Sequence, residues 1–561
     1  MKRIIRYSYL FVAIFLVATS CKKAVPDQTK YIPKDALFVF DLNWKSLSEK
    51  TAKGNVNWDS LFRSSINPGD DSSIIKAKKR FTEFMHSGID TEKNVFVFVK
   101  TGGSMMSGQS TTGGVVAAIK NAAAFETYIK NQEGASEIKK GSNFSYTTFS
   151  NDNLFIGWNK DVAILSGTES KTRRYLDTSG NTSNRSSSEQ ALATLFNQKE
   201  DESVASIPEF LDLMNEKADM LFWSNSGSMF NTIPILGMTK ISDLFRNSYG
   251  AGTVNFDNGK VTANLKSYSG KELTEILKKY PGSTVNMSMV NQYPLPVSGY
   301  TVVSFNPQVI AEIIKYGGLE GSVNQYLQKM ELTLDDVLKA FKGDFAIVFS
   351  DLGMAPKEYE YNGNKFTTKQ PTVKLVFNAA IGDKASYDKV VSKLADQGIM
   401  EMQNGQYVPK AMGTEYAWNM NGKNLVIATD NTLMQQYLSG KGNAAIPAIL
   451  ADKSKGKSFA LYVDINKILQ SFTVDTTVSK TMEAAKATFK NTIATRDNFN
   501  GKYIASDFEL TTMNNNENSL VSLIKFFASA SEQIEEHGKK LRGAGINIDS
   551  TDTITPPTTG Q

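Results

Sequence analysis

Cysteine and histidine are almost absent from this chain, with one cysteine, Cys21, and two histidines, His86 and His537, in 561 residues. A lone thiol excludes a disulfide framework. The histidines lie far apart in charged surroundings, whereas a zinc centre takes three or four clustered His, Cys or carboxylate ligands. No metal site is expected. A surplus of one charge is also missing: 62 basic and 57 acidic residues give a net charge of +5. Removing residues 1–20 takes away Lys2, Arg3 and Arg6 and no acid, leaving +2. So balanced a chain offers no basic face for nucleic acid, and no such partner is expected. The phosphate-cradling GxxxxGK[ST] run and a GxGxxG after a strand are absent as well, and no cofactor is expected.

One apolar run stands out, from Leu10 to Ala18, followed by Thr19, Ser20 and Cys21. It is too short to cross a bilayer, which takes ~20 apolar residues. A basic head, a short apolar middle and small residues before a cut describe a secretory signal peptide. Cysteine directly after Ser20 resembles the lipobox of bacterial lipoproteins, although the leucine usual three residues before the cysteine is replaced by Ala18. That resemblance implies that Cys21 carries a diacylglyceryl group after cleavage, with the membrane as partner through an N-terminal lipid. Each buried methylene adds ~0.8 kcal/mol to such an anchor. Lys22 and Lys23 follow the cysteine with no acidic cluster, which favours the periplasmic face of the outer membrane over the cell surface.

The remainder, 41% apolar and 10% aromatic in the full chain, reads as folded protein. It also repeats itself. "AAIKNAAAFETYIK" from Ala117 returns as "AAIGDKASYDKVVS" from Ala379, a shift of 262 residues. "RRYL" at Arg173 meets "QQYL" at Gln435 at the same shift. Blocks starting at Leu37, Asn94 and Ala218 have counterparts starting at Tyr300, Asp344 and Ser458, in the same order. The expected organisation is a signal peptide (1–20), a tether (21–30), a first copy (31–280), a second copy (293–530), and a charged helix end with a Thr/Pro-rich disordered tail (531–561).

Within the first copy, an apolar β-rich run at 37–42 leads into a helix starting near Trp44. A polar helix near 75–86, a strand at 95–100, a Gly/Ser loop "TGGSMMSGQSTTGG", a strand at 115–119 and a helix at 122–132 follow. Alternating runs at 144–149, 154–158 and 162–166 read as strands. The fold class is α+β: two tandem copies of a mixed, mainly antiparallel sheet covered by helices, with a ferredoxin-like βαββαβ order at the start of each. Asn258-Gly259 between alternating strands signals a closing hairpin; a second is expected to turn at 514–518 and return through "SLVSLIKFF". Residues 177–190 read as a flexible loop, and 528–541 as a charged helix.

Reactive constellations are hard to find. Lys100-Thr101-Gly102 at a strand end, with Ser73-Ile74-Ile75-Lys76 and Ser386-Tyr387-Asp388-Lys389, resembles parts of a serine–lysine hydrolase, but the spacing does not fit. "GQSTTG" at Gly108 is not a nucleophile elbow. Asp335-Asp336 and Glu535-Glu536 read as helix caps or solvated faces. Phe38, Phe40, Phe96, Phe98 and Trp158 read as core. Trp44 and Trp58 are the aromatics with a binding role to consider. Asp-Ser/Thr-x triplets put Ser60, Thr476, Ser550 and Thr553 in a pattern resembling the O-glycosylation motif of Bacteroidota envelope proteins.

"YIPKDALFVFDLNWKSLSEK" from Tyr31, a short linker after the lipobox, resembles uncharacterised Bacteroidota lipoproteins of the domain-of-unknown-function 4836 type. The resemblance implies location and fold, and brings no catalytic residues. The expected role is non-catalytic binding or scaffolding at the cell envelope, with an envelope protein or glycan as partner. The alternatives are an envelope hydrolase with its site between the copies, and a carbohydrate-binding surface lipoprotein.

Overall fold

The structure, a computed structural model, describes residues 25–530 apart from 55, 57–82, 85, 105–107, 133, 150–153, 172–182, 232–239, 362–363, 404, 411–415, 421, 443, 445 and 473–478. It is α+β and divides into two compact units. The first takes in the chain to Leu42 and Ile89–Ser224; the second takes in Asn43–Gly88 and the chain from Asn225 onward. These boundaries differ from the sequence blocks 31–280 and 293–530.

The first unit carries β1 (Phe38–Leu42), β2 (Val95–Ser104), β3 (Gly108–Ala118), β4 (Lys139–Lys140), β5 (Ser145–Thr148), β6 (Leu154–Trp158), β7 (Val162–Lys171) and β8 (Met220–Asn225). Every pairing is antiparallel, in the order β8-β1-β2-β3-β7-β6-β5-β4. The ferredoxin-like order expected here is therefore corrected. That topology sets the first strand between the third and fourth, whereas β1 lies between β2 and β8. The expected Gly/Ser loop is also corrected: residues 101–104 extend β2 and residues 108–114 extend β3, paired out to Ser104↔Gly108, and β7 pairs β3 out to Gln109↔Lys171. Backbone hydrogen bonding on both sides of β3 compensates for glycine's poor strand propensity. Helix Ser183–Asn197 replaces the second half of the loop expected at 177–190, anchored by buried Leu192, Leu195 and Phe196.

Alternation decides the first core. Val39, Phe96, Phe98, Leu221 and Trp223 point inward, at most 5% exposed, and Phe125, Phe155, Trp158 and Phe210 are buried as well, with Phe210 edge-on to Trp223. Phe38 and Phe40, expected in this core, point to the opposite face, half-buried against Phe222.

The second unit carries β9 (Tyr249–Asp257), β10 (Lys260–Tyr268), β11 (Gly299–Ser304), β12 (Phe341–Tyr361), β13 (Asn364–Ile381), the small pair β14 (Met400–Gln403) and β15 (Gln406–Pro409), β16 (Ala417–Met420), β17 (Asn424–Ala428), β18 (Phe459–Val463), β19 (Phe489–Arg496) and β20 (Tyr503–Thr512). Apart from the small pair, the order is β9-β10-β20-β19-β18-β11-β12-β13-β17-β16, again all antiparallel. The stretch β18-β11-β12-β13-β17-β16 repeats, strand for strand, the stretch β8-β1-β2-β3-β7-β6 of the first unit.

The hairpin expected at Asn258-Gly259 forms, with Gly259 at φ +73°. It belongs to the second unit, where β10 also pairs with β20. The second expected hairpin is corrected: β20 pairs with the upstream β19, and residues 519–530 are helical. Leu520, Val521, Ile524 and Phe527 follow helical spacing, and the Asn518 side chain accepts from the Leu520 N–H, so local sequence favours the helix. The second core closes around Tyr293, Tyr300 and Tyr437, each at most 1% exposed. The Tyr437 hydroxyl donates to the Met289 carbonyl (2.7 Å) and accepts from Asn378 (2.6 Å), and burial pushes its pKa up to about 12.

Candidate functional site

Three chain segments of the second unit converge on a groove of about 930 Å³. The first is helix Trp44–Lys53, started by Asn43, whose side chain accepts from the Ser46 N–H at 3.1 Å. A spacing of three puts Lys50 and Lys53 on one helix face, toward the groove. The second is the β9–β10 turn, with Asp257 and Asn258. The third is the loop after β20, with Asn514, Asn516, Glu517 and Asn518.

Short bonds fix these segments to each other. The Gly259 N–H donates to the Glu517 carbonyl (2.8 Å), and Thr512 N–H to the Gly259 carbonyl (2.8 Å). The Phe256 carbonyl accepts from both the Asn518 amide (2.7 Å) and the Lys50 ammonium (2.8 Å). Glu517 is fixed by Ser522 (2.7 Å) and Lys525. Burial raises its pKa, but the hydrogen bonds from Lys525 and Ser522 outweigh that and hold it below the ordinary value. The side chains of Lys53, Asp257, Asn258 and Asn516 make no hydrogen bond or ion pair among the described residues. The groove thus presents amide donors and acceptors, an ammonium and a carboxylate on a fixed frame. Among the described residues, its lining has no serine, cysteine or histidine. Such a set can hold a polar ligand by hydrogen bonds.

Sequence reasoning did not find this groove. Trp44 starts the helix that carries Lys50 and Lys53, is half-buried, and does not line the groove. Cys21, Trp58, Ser60, Thr476, Ser550 and Thr553 lie outside the described residues, as do Ser73 and Lys76 of the hydrolase-like pattern. Of that pattern, Lys100 pairs with Asp35 at 2.9 Å, and Lys389 pairs with Asp336 at 2.7 Å rather than activating Ser386. Ser386 instead donates its backbone N–H to the cap Asp383 (2.8 Å). Asp336 closes a capping box with Thr333, and hydrogen bonds from Lys389 and Thr333 hold its pKa down at about 2. His86 is exposed, and no group of three or more metal-ligating side chains occurs among the described residues.

One buried acid also escaped notice. Asp41 on β1 is 3% exposed. Its Oδ2 accepts from the Asn94 amide at 3.0 Å, while Oδ1 has no partner. Burial lifts its pKa to about 6, against a lowering by Asn94. The second unit places a buried polar pair at the corresponding strand junction, where Ser304 on β11 donates to Asp344 on β12.

Fold and groove together define an α+β protein of two antiparallel, similarly ordered strand series with a hydrogen-bonding groove in the second. The chain belongs to a family known as Domain of unknown function (DUF4836), whose model matches residues 28–520. No curated protein matches it. Among solved structures it is similar to crystal form I of TP0453, at 9% identity and TM-score 0.24 over 45% of this chain and 81% of that one. Crystal form IV gives 10% identity and TM-score 0.24 over 46% and 87%. Similarity at that level carries no argument about fold or function.

Proposed function

We propose that this is a lipid-anchored cell-envelope protein with a non-catalytic binding or scaffolding role. Its anchor is Cys21, and Lys22 and Lys23 after it, with no acidic cluster, favour the periplasmic face of the outer membrane over the cell surface. The folded part is the product of an internal duplication, a reading supported by the repeated strand order. The binding role rests on the groove's inventory: Lys53, Asp257, Asn258 and Asn516, whose side chains make no hydrogen bond or ion pair among the described residues, on a frame fixed by backbone bonds. Polar side chains without partners among the described residues suit an external polar ligand better than internal stability. Among the described residues, the groove's lining holds no serine, threonine or cysteine, the hydroxyl and thiol nucleophiles of covalent hydrolysis.

The test is affinity isolation of the tagged, lipid-anchored chain from native membranes after mild cross-linking. Wild type should retain an envelope component that a Lys53→Glu/Asn516→Ala variant retains several-fold less, with both proteins unfolding at similar temperatures. Identical recovery from both would contradict the groove's role. Hydrolysis of an envelope substrate by the purified chain would replace binding with catalysis.

A further inference from the structure

The β12–β13 hairpin outruns the sheet it belongs to. Pairing of β11 with β12 ends at Gly299↔Phe349, and pairing of β17 with β13 begins only at Val376. Between Gly353 and Thr372 the two strands pair with each other and with no further strand among the described residues. The ribbon leaves the sheet at an irregularity between Ser350 and Gly353, where Asp351 adopts φ +49°. Such bulges bend and re-aim a strand.

Its two faces differ in chemistry. Pairing register and strand alternation put Tyr359, Phe366, Lys357, Thr368 and Gln370 on one face. Glu358, Glu360, Lys365 and Lys369, charges of mixed sign, occupy the other. On the first face the Tyr359 and Phe366 rings stack, with centroids 5.6 Å apart and planes 15° from parallel. Gln370 donates to the Tyr359 hydroxyl, holding that ring in place. Lys357 reaches over the Tyr359 ring at 5.9 Å. Phe366 remains 46% exposed, which leaves hydrophobic area uncompensated in the free protein.

We propose that this aromatic face contacts a glycan chain. The C–H face of a pyranose is apolar and slightly positive, and packs on the negative face of an aromatic ring. The hydroxyls around the sugar's rim then need donors and acceptors beside the rings, which Thr368, Gln370 and Lys357 supply. Other occupants fit less well. Pro356 and Pro371 interrupt the two outer edges and remove amide protons that strand addition by a second copy would use. Three lysines against two glutamates between Gly353 and Thr372 give little attraction to an anionic lipid surface. This surface is separate from the groove at Lys53, so either can fail without the other.

The experiment passes the detergent-solubilised full chain over an array of immobilised neutral oligosaccharides. It also measures sedimentation and binding to phosphatidylethanolamine/phosphatidylglycerol vesicles. Retention on at least one oligosaccharide is expected, falling tenfold or more in Phe366→Ala and in Tyr359→Ala and persisting in Phe366→Trp, with unchanged thermal unfolding. Retention equal in wild type and Phe366→Ala, or no retention at all, overturns the proposal. So does a Phe366→Ala effect confined to vesicle binding or to self-association.

Discussion

Replacing Asp41 by Asn should stabilise the protein at neutral pH, although it alters a group hydrogen-bonded in the native state. Asp41 is buried, with Oδ1 lacking a partner. Burial carries its carboxyl from 3.8 to about 6, against the opposing hydrogen bond from Asn94. At 1.36 kcal/mol per tenfold, ionising it inside the fold costs about 3 kcal/mol at pH 7.5. The sign follows from proton binding. Between pH 3.8 and about 6 the native state holds a proton that the unfolded chain has released. Stability is therefore fully present below 3.8 and is lost as pH rises through 6. Asn keeps the shape and the bond with Asn94 but places an N–H where Oδ1 had no partner, a loss of about 1 kcal/mol. The net expectation is a gain of about 1–2 kcal/mol at pH 7.5 and a loss of about 1 kcal/mol near pH 4. Denaturant unfolding of wild type and Asp41→Asn at both pH values measures the difference. A variant less stable than wild type at both values, by the same amount, would refute the argument that burial of the charge is costly.

Gly259→Ala should destabilise the second unit by more than about 1 kcal/mol. Its φ of +73° disfavours any Cβ, and that atom would stand 2.7 Å from the Asn515 Cα, so the turn and the 514–518 loop must separate. Thermal unfolding reads the loss, and binding at the groove should fall with it. Tyr437→Phe should cost about 1–3 kcal/mol, because Asn378 and the Met289 carbonyl lose their buried partner. Denaturant unfolding at pH 7 checks that value, and an effect within error would mean that water takes the hydroxyl's place.

The sequence revealed local structure and hid what the fold assembles. Asn258-Gly259 between alternating runs was enough to place a hairpin, because glycine permits the turn. The repeated blocks at Leu37 and Tyr300 announced strands that occupy equivalent places in their two series. Residues 514–518 were misread for a physical reason. An Asn-rich turn after an alternating strand is compatible with a returning strand or a helix cap, and Asn518 takes the cap. The groove joins Lys53, Asn258 and Asn516, residues more than 200 apart in sequence, and no local pattern brings them together. Asp41 lay within the apolar run "LFVFDL", where reading Phe38 and Phe40 as core puts it on the opposite face, as its type also suggests, whereas the structure buries Val39 and Asp41. The free ribbon did have a signal: Asn362-Gly363 between two alternating runs. That it leaves the sheet depends on where β11 and β17 stop, which is a tertiary fact.

The central claim, a binding protein held at a membrane by one modified thiol, meets its most direct test at the amino terminus. Intact and tandem mass spectrometry of the protein extracted from native membranes should find a chain that begins at Cys21 and carries diacylglycerol on its sulfur. A Cys21→Ser variant should then leave the membrane fraction. An unmodified Cys21 thiol, or a mature chain that begins at any other residue, would contradict the account.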